Sequence, residues 1–287
     1  MKLRILGSGT STGVPEIGCK CAVCTSTDPH DNRLRASSLI HTDDDKVILV
    51  DCGPDFREQM LRVPTFERID GVLITHEHYD HVGGLDDLRP FCRFGDIPIY
   101  ADAYTAAHLR SRMPYCFVDK TYPGVPKLTL HEVEAGVPFY IGQTQIVPLA
   151  VIHGKLPILG YRIGEQLGYI TDMTVMPEAS YEQLHNLDLL VLNALRVGKK
   201  HPTHQNVEEA LVVARRIGAR QTYFIHMSHG AGLHTELERM LPPEVQPAYD
   251  GMEVATQSGS LEMHRFFGER FGIGDDLVER QEGRQMV

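Results

Sequence analysis

Residues 75–84 read THEHYDHVGG. They place three histidines and two acids in six positions: His76, Glu77, His78, Asp80 and His81. In extended chain, residues i and i+2 face the same side, so His76 and His78 can grip one ion together. The chain then turns, and Asp80 and His81 can reach a second. Imidazole and carboxylate donors suit zinc, manganese or ferrous ions. Two such ions about 3.5–4 Å apart hold one hydroxide between them and bring its pKa toward neutrality, which is the chemistry of hydrolysis. A polar loop of scattered histidines would not concentrate its donors in this way.

A second constellation lies near the N-terminus. GCKCAVC, residues 18–24, carries Cys19, Cys21 and Cys24. Three thiols in C-x-C-x₂-C are too compact to be unrelated core residues, and a closed zinc site takes four ligands. No fourth cysteine follows nearby. Cys52, Cys92 and Cys116 stand apart and read as buried or incidental thiols. The preceding loop GTSTG, residues 9–13, offers backbone N–H groups to a phosphate or sugar. It reads equally well as a turn into the cysteine cluster. It is not a P-loop, because no Gly-Lys-Ser/Thr follows.

The elements that must carry these residues follow from apolar runs and turn signals. LRILGSGT is a strand breaking into a loop. ASSLIHTDDDKVILVDCG reads as a β-hairpin with Asp43–Asp45 at its turn. PDFREQMLRV is a helix with Pro54 near its start. IDGVLITH is a buried-type strand with His76 just past its tip. GGLDDLRPF suggests a short helix and IPIYA a strand. Residues 113–127, rich in proline and aromatics, read as a loop or lid. FYIGQTQIVPLAVIH and GYRIGEQLGYITD look like strands joined by turns. From PEASYEQLHN onward helices and strands alternate, through LDLLVLNAL, QNVEEALVVARRIGA, QTYFIH and TELERML. A β-rich half followed by a more αβ half predicts one α/β domain over residues 1–255, with two sheets inside layers of helices. Residues 256–287 read as a C-terminal extension, an appended helix or mobile tail.

The chain has 287 residues, 42% hydrophobic and 23% charged, enough for one sizeable core. No apolar run reaches eighteen residues, and MKLRILGSGT has too short an apolar core for a signal peptide. A cytoplasmic protein with reduced thiols is expected, without membrane contact. The net charge of −10 argues against a large nucleic-acid partner. A small phosphate-bearing substrate stays open, because bound metal reverses the local field. His30, His41, His108, His131, His185, His234 and His264 fall on turns or helix faces and read as surface or core filler.

H-x-H-x-D-H at a strand end resembles the signature of the metallo-β-lactamase superfamily, over about residues 3–255. The resemblance implies an αββα sandwich with two divalent metals, zinc or manganese, at the sheet edge. It implies three further ligands at strand ends. His153 joins His76 and His78 on the first metal, His226 joins Asp80 and His81 on the second, and Asp172 bridges both. Asp51 in ILVDCG matches the family's early aspartate, which orients a ligand or the bridging water. With His226 a ligand, His229 sits three residues on and can complete a Cys₃His structural zinc site with Cys19, Cys21 and Cys24.

That cysteine pattern, the early GSGTSTGVPEIGCKCAVC loop and the late YDGMEV resemble one branch. It is the branch of the cyclic-ribose-phosphate phosphodiesterase of the carbon–phosphorus lyase pathway. The resemblance implies a homodimer hydrolysing 5-phosphoribosyl 1,2-cyclic phosphate or 2′,3′-cyclic nucleotides. It also implies a general acid just before a late helix. KKHPTHQNVEEAL places His204 there, with His201 a nearby competitor and Thr203 a candidate helix cap. The competing functions are a tRNA 3′-end endonuclease and a thioesterase on the same scaffold. The first needs a long basic arm, and residues 113–127 carry only Lys120 and Lys127. The second leaves the cysteine cluster unexplained.

Overall fold

The computed structural model describes residues 1–117 and 124–256. Among the described residues, fourteen strands form two seven-stranded sheets. The first sheet takes β1 (Lys2–Gly7), β2 (Ser37–His41), β3 (Val47–Val50), β4 (Gly71–Leu73), β5 (Ile97–Ala101) and β6 (Leu128–Glu132). The second takes β7 (Phe139–Ile141), β8 (Thr144–His153), β9 (Leu156–Ile163), β10 (Leu167–Ile170), β11 (Leu189–Asn193), β12 (Gln221–Ile225) and β13 (Val245–Pro247). β14 (Glu253–Ala255) returns to pair with β1, closing the first sheet's order as β14-β1-β2-β3-β4-β5-β6. The α-helices of the described residues are α1 (Phe56–Leu61), α2 (Tyr79–Val82), α3 (Ala103–Arg112), α4 (Glu178–Tyr181), α5 (Val207–Ile217) and α6 (His234–Met240).

The sequence pattern explains the layering. In β1, Leu3 and Ile5 are buried while Lys2 is exposed, the alternation of a strand with one inward face. β3, β4, β10 and β11 are buried at every position and run parallel to at least one neighbour, as strands covered on both faces must be. Three apolar clusters mark the three interfaces of four layers. Ile5, Ile48 and Leu73 of the first sheet meet Tyr161, Tyr169 and Ile225 of the second between the sheets. Phe56, Leu88, Phe91 and Leu109 cover the first sheet's other face. Leu184, Val213 and Leu237 cover the second's. The predicted α/β sandwich is therefore the observed one.

Local departures have local causes. Residues Leu85–Phe94, expected as a short helix, form a 3₁₀ segment with Pro90 inside it. Proline has no N–H for an α-helical bond and crowds the preceding turn. Pro148 lies inside β8, but β7 stops pairing at Phe139 opposite Ile146, so no ladder donor is missed there. The expected lid at 113–127 starts as a 3₁₀ turn, Pro114–Cys116, and ends against β6. Its residues 118–123, and the C-terminal extension from residue 257, lie outside the described residues.

One buried cation ties the N-terminal loop to the end of the second sheet. Arg33 is 3% exposed and donates through Nη1 to Ser8 Oγ (2.9 Å) and the Ala248 carbonyl (2.6 Å). Asp250 accepts from Ser8 N–H (2.9 Å), Ser8 Oγ–H (2.9 Å) and Leu34 N–H (2.7 Å). Burial draws the guanidinium down to about 10 and Asp250 supports its charge. Arg33→Met is expected to cost about 3 kcal/mol, because it leaves the buried Ser8 hydroxyl and Ala248 carbonyl without their charged donor and removes the cation nearest Asp250. Urea unfolding measures this, and a loss under about 1 kcal/mol, the level of one ordinary hydrogen bond, would refute it.

Candidate active site

The ends of β3, β4, β8, β10 and β12 lie along one edge of the sandwich, and each delivers part of one cluster. Asp51 follows β3, His76 follows β4, His153 closes β8, Asp172 follows β10 and His226 follows β12. Asp51, Asp172 and His226 adopt φ values of 57°, 53° and 54°. Non-glycine residues rarely take this left-handed conformation, and here it turns the chain sharply at the strand tip. Strain collects where three side chains must leave their sheets.

The sequence-predicted ligands come together. Donor atoms of His76, His78 and His153 lie within 4.8 Å of one another, as do those of Asp80, His81 and His226. Asp172 stands between the triads. Its Oδ2 is 3.2 Å from His81 Nε2, and its Oδ1 is 3.2 Å from His226 Nε2. Asp172 also groups with His76 and His81 within the same limit. His76 Nε2 and His78 Nδ1 face each other at 2.9 Å.

The surroundings prepare these atoms for a cation. Asp51, fully buried, accepts Thr75 N–H at 2.8 Å and the His81 Nδ1–H at 2.7 Å. Thr75 Oγ also donates to Asp51 Oδ2 at 2.9 Å and accepts from His76 Nδ1 at 3.0 Å. The Nε2 atoms of His76 and His81 are thereby turned inward. His153 Nδ1 donates to the Thr203 carbonyl at 2.8 Å, with the same effect. His81 Nε2 is buried with no hydrogen-bond partner, 3.2 Å from a carboxylate oxygen of Asp80 and of Asp172. A buried orphan nitrogen facing two carboxylates is a ligand's position.

Titration behaviour agrees. Burial holds His76 well below the ordinary range, in the neutral form that coordinates metal. Burial raises Asp172 and Asp80, but facing His226 and His81 override it and keep both carboxyls well below the usual range. Burial lowers His81, yet Asp80, Asp172 and Asp51 outweigh it and raise the ring. The cluster therefore demands positive charge. A divalent cation held by these donors would meet that demand. The donor set fits two such ions.

His204 reaches this cluster. Its Nε2 lies 2.9 Å from Asp172 Oδ1, and its ring stacks on His226 at 5.1 Å between centroids. His201, the competitor, stands behind it, with the two Nδ1 atoms 3.2 Å apart. The helix cap falls elsewhere than expected. Asn206, not Thr203, accepts Glu209 N–H at 2.9 Å and completes a capping box at the start of α5. Three contributors went unseen in the sequence. Thr75 and Thr203 are contiguous with the histidines they hold. Arg112, at the end of α3, donates to the Glu77 carbonyl at 3.0 Å, and no local signal marks it.

The cysteines form their own group. Ligand atoms of Cys19, Cys21, Cys24 and His229 lie within 4.8 Å of one another. Cys24 Sγ is 3.4 Å from His229 Nδ1, and the N–H groups of Glu16 and Cys24 donate to Cys24 Sγ and Cys21 Sγ at 3.4 and 3.5 Å. Backbone N–H bonds to sulfur favour thiolates, which is what zinc takes. Burial pushes Cys24 up to about 11, so a metal ion would have to draw off its proton. The GTSTG loop lies against this region through the Thr10 N–H bond to the Met227 carbonyl at 3.0 Å.

Comparison with known proteins agrees with this geometry. Residues 46–227 match the model of the β-lactamase superfamily domain. A crystal structure of a new diphosphatase from the PhnP family is 42% identical, with a TM-score of 0.81, covering 88% of this chain and 96% of that one. It bears out the branch resemblance. Zinc-bound PqqB from Methylobacterium extorquens shares the fold at 20% identity and a TM-score of 0.70, covering 89% and 100%. An octanoyltransferase of Porphyromonas gingivalis is 46% identical over 93% of this chain, which spans only 54% of that protein. No described helix is long and apolar enough to cross a membrane. With its four layers, its strand-end histidines and aspartates and these relatives, the chain belongs to the β-lactamase superfamily of metal-dependent hydrolases.

Proposed function

We propose that the protein hydrolyses small phosphodiesters, with cyclic ribose phosphates and 2′,3′-cyclic nucleotides as its substrate class. One observation carries this reading. Asp172 faces both ligand triads, and His204 Nε2 stands 2.9 Å from its carboxylate. His76, His78 and His153 would hold one zinc or manganese ion, Asp80, His81 and His226 a second, and Asp172 both. Bound there, such ions supply Lewis acidity and water of lowered pKa. The chain's own part is positioning and proton delivery. Asp51 and Thr75 fix the ring faces of His81 and His76. His204 gives its Nε2 proton to the oxygen that leaves phosphorus, as a poor alkoxide leaving group requires. Cys19, Cys21, Cys24 and His229 would hold a structural zinc that pins the loop carrying His226.

His204→Ala is expected to slow a 2′,3′-cyclic nucleotide by roughly 10²-fold or more, the share of a general acid. A nitrophenyl diester, whose leaving group needs no proton, should lose much less. Equal loss on both would remove the role. A second reading, hydrolysis of a diphosphate, draws on the 42% identical diphosphatase. It places the same residues around phosphorus but with a phosphate leaving group, whose proton affinity is far below an alkoxide's. Steady-state rates on cyclic nucleotides, linear diesters and nucleoside diphosphate esters separate the two. Diphosphate turnover insensitive to His204→Ala, with no turnover of cyclic diesters, would favour the second. The octanoyltransferase's name describes a chain nearly twice as long, of which this chain spans 54%, so its activity is not carried over.

A further inference from the structure

We infer that Thr203 is a positioning residue that couples the ligand His153 to the proton donor His204; this rests on the role proposed above for His204. Its backbone and side chain do different work. The Thr203 carbonyl accepts from His153 Nδ1 at 2.8 Å and from Thr174 Oγ at 2.6 Å. Thr174 Oγ in turn accepts the Gly154 N–H at 2.7 Å. The Thr203 hydroxyl lies 2.9 Å from His204 Nδ1 and 3.2 Å from His201 Nδ1. The two loops close tightly. Gly154 has φ 64°, and a Cβ there would come within 2.7 Å of Thr203 Cγ2. The residue after His153 is thus fitted to Thr203.

The hydroxyl has a specific advantage at this point. Asp172 Oδ1, a carboxylate oxygen, only accepts, so the His204 Nε2 facing it carries a proton. Nδ1 then faces the Thr203 hydroxyl at 2.9 Å, which fixes the ring from the side opposite Asp172. A hydroxyl is both donor and acceptor, so it can meet this nitrogen and also His201 Nδ1, which receives the Thr203 N–H at 3.4 Å. In the proton-transfer step the Nε2 proton passes to the leaving oxygen as the P–O bond breaks. The Thr203 hydroxyl keeps hold of Nδ1 throughout. Nε2 regains its proton from solvent, which balances the proton that the attacking water gives up as its oxygen bonds phosphorus.

Wild type, Thr203→Val, Thr203→Ser and His204→Ala are compared on a 2′,3′-cyclic nucleotide and a nitrophenyl diester, with metal content measured on each purified chain. Thr203→Val keeps the carbonyl and the shape. It is expected to lose roughly tenfold in kcat on the cyclic nucleotide, the worth of one hydrogen bond made in the transition state. KM and metal content should hold, the nitrophenyl ester should lose less, and Thr203→Ser should restore most of the rate. If Thr203→Val matches wild type while His204→Ala is selective for the poor leaving group, the inference falls and the His204 role stands. If His204→Ala is unselective, both fall. If Thr203→Ser is as slow as Thr203→Val, or Thr203→Val loses metal, the hydroxyl is not what positions the ring.

Discussion

Asp172→Ala is expected to lower kcat/KM on a phosphodiester by about a thousandfold or more. The carboxylate stands between the triads, 3.2 Å from His81 and from His226 of one and grouped within 4.8 Å with His76 and with His153 of the other, and it meets His204 at 2.9 Å. Its loss removes the one donor shared by the two proposed ions and frees the ring that delivers the proton. Lewis-acid stabilisation is worth several kcal/mol of transition-state energy, and each 1.36 kcal/mol is tenfold in rate. About 4 kcal/mol therefore corresponds to the thousandfold loss. Metal analysis should show fewer divalent ions per chain than wild type. Unchanged turnover in the variant would sink the hydrolase reading at this cluster. The fold should survive, because Asp172 lies beyond the end of β10 and anchors no strand ladder, although alanine accepts its φ of 53° less readily than aspartate does.

Cys24→Ser is expected to remove one zinc atom per chain and to lower stability by several kcal/mol. Its Sγ accepts the Glu16 N–H and approaches His229, so it joins two loops 205 residues apart in the chain. Structural zinc contributes folding energy directly, about 10–16 kcal/mol in isolated finger peptides. A large core limits how much of that reaches global stability here. The further consequence is functional. His229 begins the 3₁₀ turn His229–Ala231, three residues beyond His226, so loosening the loop should also raise the dissociation constant for active-site metal. Zinc content by mass spectrometry and urea unfolding test this together. Normal zinc content with normal stability would leave the cysteines as plain surface thiols.

Much of this site was legible because metal ligation needs scarce residue types at fixed places. His76, His78, Asp80 and His81 are adjacent in sequence, and their spacing alone announces two ligand pairs. His153, Asp172 and His226 are single residues. They became legible through family resemblance and through their places at or just beyond the ends of apolar strands. The cysteine trio was incomplete locally, and its fourth member lay more than 200 residues away. The supporting residues were not legible in the same way. Arg112 holds a backbone carbonyl, which leaves no trace in residue type at Glu77. Thr203 resembled a helix cap, because a threonine before a helix usually is one. Asn206 took that role with Glu209, and Thr203 was left free for the histidines.

The sequence by itself determined the layers, the ligand types and the edge where they gather. Hydrophobic period and strand-end chemistry are local properties, written in consecutive residues. Only the tertiary structure decided how the donors face one another. It set Asp172 between two triads, His204 ahead of His201, His229 beside Cys24, and the Thr203 hydroxyl between two rings. Those relations join segments tens to hundreds of residues apart, and each depends on left-handed strand tips and loop contacts of a few ångströms. No local pattern specifies such distances. They follow from packing two sheets whose strand ends must meet along one edge.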